Sequence, residues 1–130
     1  MNPEAVAELY DRLNAVCFGG RLRPVLIRLA PWILSRTDGS RLAGAWDAEA
    51  WAIGVDRALL DHPQHLFGTL LHEMTHQACY QANGSDGHGL DFCATGAEAV
   101  ARLGFGVPAP TLTTATTWPY PTPTHLLKGI

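Results

Sequence analysis

Cysteine is scarce in this sequence of 130 residues, and the three cysteines form no C-x-x-C pair. Cys17, Cys79 and Cys93 are also an odd number, which argues against a disulfide framework and against a cysteine zinc ribbon. We therefore expect a reducing environment, in which Cys79 and Cys93 serve as small buried residues rather than as metal ligands.

Long apolar runs are missing too, since no segment approaches the roughly 18 residues of a membrane span. The N-terminal segment MNPEAVAELYDR is acidic, whereas a signal peptide begins with basic residues and continues with apolar ones. The sequence therefore predicts a cytoplasmic protein with no membrane partner.

Clustered positive charge is the third absence. The net charge is −3 with histidine neutral, and the basic residues are nearly all arginines, scattered from Arg12 to Arg102. Binding to phosphate groups requires several cations close together, so the charge pattern does not support affinity for nucleic acids. Hydrophobic residues make up 47% and charged residues 16%, which is the balance of an ordinary globular protein of one domain.

The patterns that are present predict an α+β fold, in which a small mixed sheet packs against an N-terminal helix, a long second helix and a third helix. Apolar residues at helical spacing, turn signals and short β-branched runs place the elements. The expected helices cover residues 3–17, 61–82 and 90–103, and the expected strands cover 24–30, 41–46 and 51–55.

The motif that indicates chemistry is H-E-x-x-H, formed by His72, Glu73 and His76 within the second predicted helix. Histidines four positions apart lie one helical turn apart, so both imidazoles can reach one zinc ion at about 2.0–2.1 Å. Glu73 is rotated about 100° from His72 and lies beside the ion, where a general base belongs. The alternative is a solvated polar face, but the apolar flanks predict a largely buried helix in which unpaired polar groups are costly.

A catalytic zinc site needs a third protein ligand and leaves a fourth position open. His88 is the first candidate, because the polar, glycine-rich loop of residues 83–89 can turn the chain back toward the helix. The carboxylates of Asp86, Asp91 and Glu98 are alternatives that the residue pattern alone leaves open.

Other polar residues support weaker hypotheses. His65 lies two helical turns before His72, about 10 Å along the axis, which is too far for both to bind one ion. His125, Tyr80 and Tyr120 could each donate a hydrogen bond to a tetrahedral oxyanion, and the sequence does not select among them.

Several segments together resemble the SprT-like domain, the catalytic domain of the Spartan family of metallopeptidases. The similar segments cover roughly residues 5–104, and their order and spacing are more specific than H-E-x-x-H alone. They are the first helix with its exit F-G-G-R-L at 18–22, the strand segments A-G-A-W at 43–46 and I-G-V at 53–55, the helix segment L-L-H-E-M-T-H at 70–76, and H-G-x-x-F at 88–92.

This resemblance implies a zincin-like fold with its active-site cleft between the sheet and the second helix. It implies one Zn²⁺ per chain, held by His72, His76 and His88, with Glu73 as the catalytic base of a zinc metalloendopeptidase that cleaves polypeptides. Two alternatives accompany it: a DNA-associated protease acting on DNA–protein crosslinks, and a zinc-containing regulatory or binding module with little activity. Many relatives carry a zinc ribbon or basic segments that bring them to DNA, and this sequence shows neither.

The C-terminal segment differs in composition from the rest of the chain. We expect residues 1–110 to form the SprT-like zinc metallopeptidase domain, and the proline- and threonine-rich residues 111–130 to form an extended tail. Trp118 and Tyr120 would each gain about 1.5–3 kcal/mol on burial, so the tail is expected to pack along the domain. A tail that covers the cleft itself is the alternative hypothesis.

Overall fold

The computed structural model describes residues 1–35, 37–104 and 124–129 of the chain, and these residues form an α+β fold, as predicted. In chain order the elements are α1 (Pro3–Phe18), β1 (Leu26–Ala30), β2 (Ile33–Leu34), β3 (Arg41–Leu42), β4 (Gly44–Asp47), β5 (Ala52–Asp56), a 3-10 helix (Arg57–Asp61), α2 (Pro63–Asn83), α3 (Leu90–Ala101) and α4 (Thr124–Leu127). No helix in these described ranges is long and apolar enough to cross a membrane.

Local signals set the two ends of α1. The Asn2 side chain accepts a hydrogen bond from the backbone N–H of Ala5 at 2.9 Å, and Pro3 occupies the first turn, where its missing N–H costs nothing. Gly19 ends the helix with a left-handed φ of 61°, which glycine adopts without strain. The predicted helix over residues 3–17 is confirmed to within one residue.

The three-stranded sheet has the order β1-β5-β4 and is mixed, as expected. β1 runs parallel to β5, with Ile27 opposite Ile53, and β4 runs antiparallel to β5, with Gly44 opposite Val55. β4 is therefore an edge strand of this sheet.

The strand predicted over residues 41–46 is divided between two sheets. Arg41 and Leu42 pair with β2 in a small antiparallel hairpin, whereas the chain from Gly44 onward pairs with β5. The sequence pattern missed this change of partner because each strand of the hairpin is only two residues long, which is too short for an alternation of polar and apolar residues to be recognised.

The core lies between one face of the sheet and helices α1, α2 and α3. The predicted apolar stripe of α2 is confirmed at Leu66, Leu70 and Met74, all of which are fully buried. Burial of side chains of this size contributes about 1.5–3 kcal/mol each, so α2 is held mainly by this stripe. Other fully or almost fully buried members of the core are Val6, Leu9, Leu13, Phe18, Ile53, Val55, Phe67, Leu71 and Phe92.

Two glutamine side chains of α2 hold the segment that joins α1 to β1. The amide of Gln77 donates to the carbonyl of Arg23 at 2.8 Å and accepts from the Tyr10 hydroxyl at 2.7 Å. One turn later, Gln81 donates to the carbonyl of Arg21 at 2.6 Å and accepts from the backbone N–H of Arg23 at 3.0 Å. These polar contacts tie α2 to the segment that joins α1 to β1.

The short helix α4 lies against α1. The Arg12 guanidinium donates hydrogen bonds to the carbonyls of Leu126 and Lys128, and the Leu126 side chain is buried. The tail was expected to be extended, but residues 124–127 form a helix. The prolines at positions 119, 121 and 123 all precede this helix, so none of them interrupts it. Trp118, Tyr120 and the expected packing of the tail lie outside the described residues.

Candidate metal centre

Three histidines from two elements come together at one point. His72 and His76 lie one turn apart in the middle of α2, and His88 lies in the loop between α2 and α3. The Nε2 atom of His88 is 3.1 Å from Nε2 of His76 and 3.2 Å from Nε2 of His72. Within residues 1–35, 37–104 and 124–129, these side chains form the one group of three or more that could hold a metal ion.

The spacing of these nitrogens fits a bound cation. Tetrahedral bonds of about 2.0–2.1 Å to zinc place two ligand nitrogens about 3.3–3.4 Å apart, close to the separations of His88 from His76 and from His72. A neutral imidazole has only one N–H, so three facing nitrogens cannot all be satisfied by hydrogen bonds to one another. Imidazole nitrogen is a ligand that suits zinc and other divalent transition metals.

His76 is the most enclosed of the three side chains. Burial, together with the neighbouring His72 and His88, lowers the pKa of His76 to about 4, so its imidazole is neutral, as a metal ligand must be. Its other ring nitrogen, Nδ1, is buried and has no hydrogen-bond partner among the described residues. His72 is half-buried and His88 is exposed, so the group opens to solvent on the side of the loop.

Phe92 forms the base of the group. Its side chain is fully buried, and its ring centroid lies 5.1 Å from that of His72, 4.4 Å from that of His76 and 4.9 Å from that of His88. Phe92 belongs to the first turn of α3, so the pattern H-G-x-x-F places one aromatic ring beneath all three imidazoles. In the sequence this phenylalanine was visible only as part of the family pattern.

Glu73 lies beside this group, and its carboxylate is not part of it. The residue is only 5% exposed, and burial raises the pKa of its carboxyl to about 8. A cation held by the adjacent histidines would favour the charged form and oppose that shift. Glu73 thus follows His72 directly in α2 and is outside the group of possible ligands.

The three carboxylates that competed with His88 do not join the histidine group. The Asp91 carboxylate accepts a hydrogen bond from the backbone N–H of Phe92 at 2.9 Å, and a hydrogen bond from the Ser85 side chain lowers its pKa. Glu98 is exposed and pairs with Arg102 one turn along α3. Asp86 lies at the rim of a groove on the outer face of the sheet.

The surroundings of the weaker candidates differ from one another. His65 is also on α2 but outside the group, and burial lowers its pKa. Tyr80 packs against two tryptophans, with ring centroids 6.1 Å from Trp46 and 6.0 Å from Trp51. His125 is an exposed residue of α4, and Tyr120 is not among the described residues.

The two cysteines near the histidines are free thiols outside the metal group. Cys79 is buried, as expected, and burial raises the pKa of its thiol. Cys93 is half-buried, and its sulfur lies 3.9 Å from the carbonyl oxygen of His88.

Comparison with known proteins links this arrangement to one family. The model of the SprT-like family matches residues 6–113, a range that includes β1–β5, α2, α3, the loop of His88 and most of α1. Comparison with characterised proteins and with solved structures finds no match.

Proposed function

The chain belongs to the SprT-like family, and on this premise we propose that it is a zinc-dependent endopeptidase that cleaves polypeptides. The observation that carries the proposal is the meeting of three imidazole nitrogens within 4.8 Å of one another. A buried carboxylate, Glu73, lies next to one of them in the same helix. The cytoplasm is the proposed location, and the polypeptide substrate is the proposed partner.

His72, His76 and His88 would hold one zinc ion per chain. Three histidines leave the fourth position of a tetrahedral site open, which distinguishes a catalytic site from a closed structural one. Bound zinc supplies a Lewis acid that polarises a carbonyl group and lowers the pKa of water to about 7. The exposure of His88 leaves an approach to this open position from solvent.

Glu73 would move the proton. Its carboxylate accepts a proton from the attacking water and then delivers it to the nitrogen of the leaving amine, as hydrolysis of an amide requires. The side chain has little contact with solvent, so a proton held on the carboxylate is kept within the site during the reaction.

The two alternative functions gain less support. A regulatory zinc module has no need of a carboxylate base beside its metal, and the buried carboxylate Glu73 directly follows His72 in the chain. A role on DNA follows only from the family, because the basic residues are scattered along the sequence and the net charge is −3. We therefore propose general peptide hydrolysis without a requirement for DNA.

The first test combines metal content with hydrolysis. We expect about one zinc per purified chain by elemental analysis, cleavage of a denatured protein, loss of cleavage with a chelator and recovery when zinc is restored. Glu73→Gln should retain the zinc and the fold but lower kcat by a factor of about 10²–10⁴, because the amide cannot accept the proton.

Glu98→Gln is the matched control, since it makes the same substitution at an exposed carboxylate on α3. It should cleave as fast as the parent protein. A parent that takes up no zinc, or a Glu73→Gln variant that cleaves at the parental rate, would contradict the proposed function. Cleavage that appeared only after DNA was added would favour the DNA-associated alternative.

A further inference from the structure

Gly44, the first residue of the edge strand β4, lies directly against α2. A Cβ atom added at Gly44 would be 2.7 Å from Cγ2 of Thr69, 2.9 Å from the carbonyl oxygen of Gly54 and 3.3 Å from Cγ of Glu73. Cβ atoms essentially never approach other heavy atoms to less than 3.0 Å. Glycine is therefore the residue that allows this close approach of strand and helix.

The need for glycine at this position comes from space and not from backbone conformation. Gly44 is not among the glycines with positive φ, unlike Gly19 or Gly84, so its backbone is one that any residue can adopt. Gly54, its neighbour on β5, faces the opposite side of the sheet, where an added Cβ would make an ordinary contact of 3.4 Å with Ile33. The two glycines lie in the same sheet and differ in what they face.

Thr69 is one helical turn before Glu73 and provides the other half of this contact. Its side chain is 5% exposed, and its hydroxyl has no hydrogen-bond partner among the described residues. The hydroxyl of Thr75, by contrast, donates to the carbonyl of Leu71 at 2.8 Å. Because a β-branched side chain in a helix has few rotamers, the Thr69 methyl group cannot easily turn away from β4.

We propose that Gly44 is a positioning residue for the catalytic base: β4 closes onto Thr69 and Glu73 at a point where no side chain separates them, and this contact fixes the Glu73 side chain. The carboxylate is the chemically active end of that side chain, and its direction is set where its Cγ passes Gly44. The effect on hydrolysis rests on the proposed function, whereas the packing relation does not.

Gly44→Ala tests the proposal in the zinc-loaded protein. The added methyl group should push the Glu73 side chain by a few tenths of an ångström and lower kcat by roughly tenfold, less than the roughly hundredfold that a misplacement of about 1 Å can cost. KM and zinc affinity should change by less than about threefold, because the three atoms nearest to the added Cβ belong to Thr69, Gly54 and Glu73 and not to a histidine. Gly54→Ala is the matched control and should leave kcat within about twofold of the parent.

Thr69→Ser provides the rescue. In the double variant with Gly44→Ala, position 69 on α2 loses a methyl group and position 44 on β4 gains one. The total volume at the contact between strand and helix stays nearly constant, and such exchanges are tolerated best in packed cores. The double variant should recover at least about half of the lost kcat on a logarithmic scale. Recovery should be incomplete, because the close contact with the Gly54 carbonyl remains.

A second measurement uses the metal-free protein and requires no activity. Gly44→Ala should lower Tm by about 5 °C or more as an overpacked contact, and the loss should be smaller in a Thr69→Ser or Glu73→Ala background. Gly54→Ala should show the same Tm shift in all backgrounds. Equal losses for Gly44→Ala in every background would overturn the proposal.

The outcomes separate this inference from the proposed function. In one outcome, the effects on Tm of substitutions at positions 44 and 73 depend on each other, but the parent protein has no peptidase activity. This result would support the packing contact and contradict the proposed function. In the other outcome, the parent protein cleaves polypeptides and Gly44→Ala cleaves them at the same rate. This result would support the proposed function and contradict the positioning role of Gly44.

Discussion

The helix and the loop supply histidines to the same proposed metal centre, but the surroundings of these histidines differ strongly. His72 and His76 lie within the 21-residue helix α2, whose apolar stripe is fully buried and whose glutamines bind the chain between α1 and β1. His88 lies on an exposed loop. Two of the proposed ligands are therefore placed by the fold itself, whereas the third depends on a few local contacts.

The loop is attached to the domain mainly at its ends. Gly84 ends α2 with a left-handed φ of 74°, and the Asn83 side chain accepts a hydrogen bond from the backbone N–H of Ser85 at 2.9 Å. At the other end, Phe92 enters the core beneath the imidazoles. The comparison teaches that the metal would stabilise the loop more than it stabilises the helix.

The largest expected effect compares the removal of a ligand from each region. His88→Ala and His76→Ala should each lower zinc affinity by far more than the roughly 10–100-fold that loss of an outer-shell partner costs. Only His76→Ala should change Tm of the metal-free protein, because His76 is buried and His88 is exposed. Titration with zinc and thermal unfolding without metal measure the two quantities.

Retention of parental zinc affinity by His88→Ala would break the comparison, since the helix alone would then suffice for binding. The third ligand would have to come from a carboxylate such as Asp86 or Asp91. Equal Tm losses for the two metal-free variants would show that the loop is as firmly packed as the helix.

An intermediate effect is expected at Phe92, where the two regions meet. Phe92→Leu keeps an apolar side chain but removes the flat ring that contacts all three imidazoles. Zinc affinity should fall about 10–100-fold, as for other residues that orient ligands. Phe67→Leu, at another fully buried phenylalanine on α2, is the control and should lower Tm without a comparable loss of zinc affinity.

The smallest effect is expected at Asp91, which supports the loop through hydrogen bonds. The Ser85 hydrogen bond lowers the pKa of Asp91, so the charged carboxylate is the form that stabilises the folded loop. This contribution is present above the unfolded pKa of about 3.9 and is lost as pH falls through the lower folded value.

Asp91→Asn should therefore lower zinc affinity at pH 7 by less than about tenfold, below the effect of Phe92→Leu. It should also increase the rate of amide hydrogen exchange in residues 84–89 of the metal-free protein. An effect on affinity larger than that of Phe92→Leu would mean that the loop is held by its own polar contacts rather than by the core.

The parts that the sequence predicted well are those with strong local signals. α1 is marked by Asn2, Pro3 and Gly19, and α2 by its proline start, its apolar stripe and Gly84. The spacing of His72 and His76 follows from helix geometry alone. The glycine-rich loop made His88 the first candidate for the third ligand, but only the resemblance set it clearly ahead of the carboxylates, because a loop conformation cannot be read from its residues.

The parts that were missed depend on contacts between distant segments. The hairpin of β2 and β3, the 3-10 helix Arg57–Asp61 and the helix α4 are too short to produce a periodic pattern. Gly44 was visible as a glycine in a predicted strand, which suggests a close approach, but its contacts with Thr69 and Glu73 appear only in three dimensions.

The glutamines of α2 have a further consequence for the axial register of this helix. Apolar packing alone would permit a helix to slide along its own axis, because side-chain ridges repeat along its surface. Gln77 and Gln81 bind backbone groups of Arg21 and Arg23 that are fixed in position, so a shift by one residue would break all of these bonds. The height of the histidines relative to the sheet is thus determined in part by two amide side chains of the same helix.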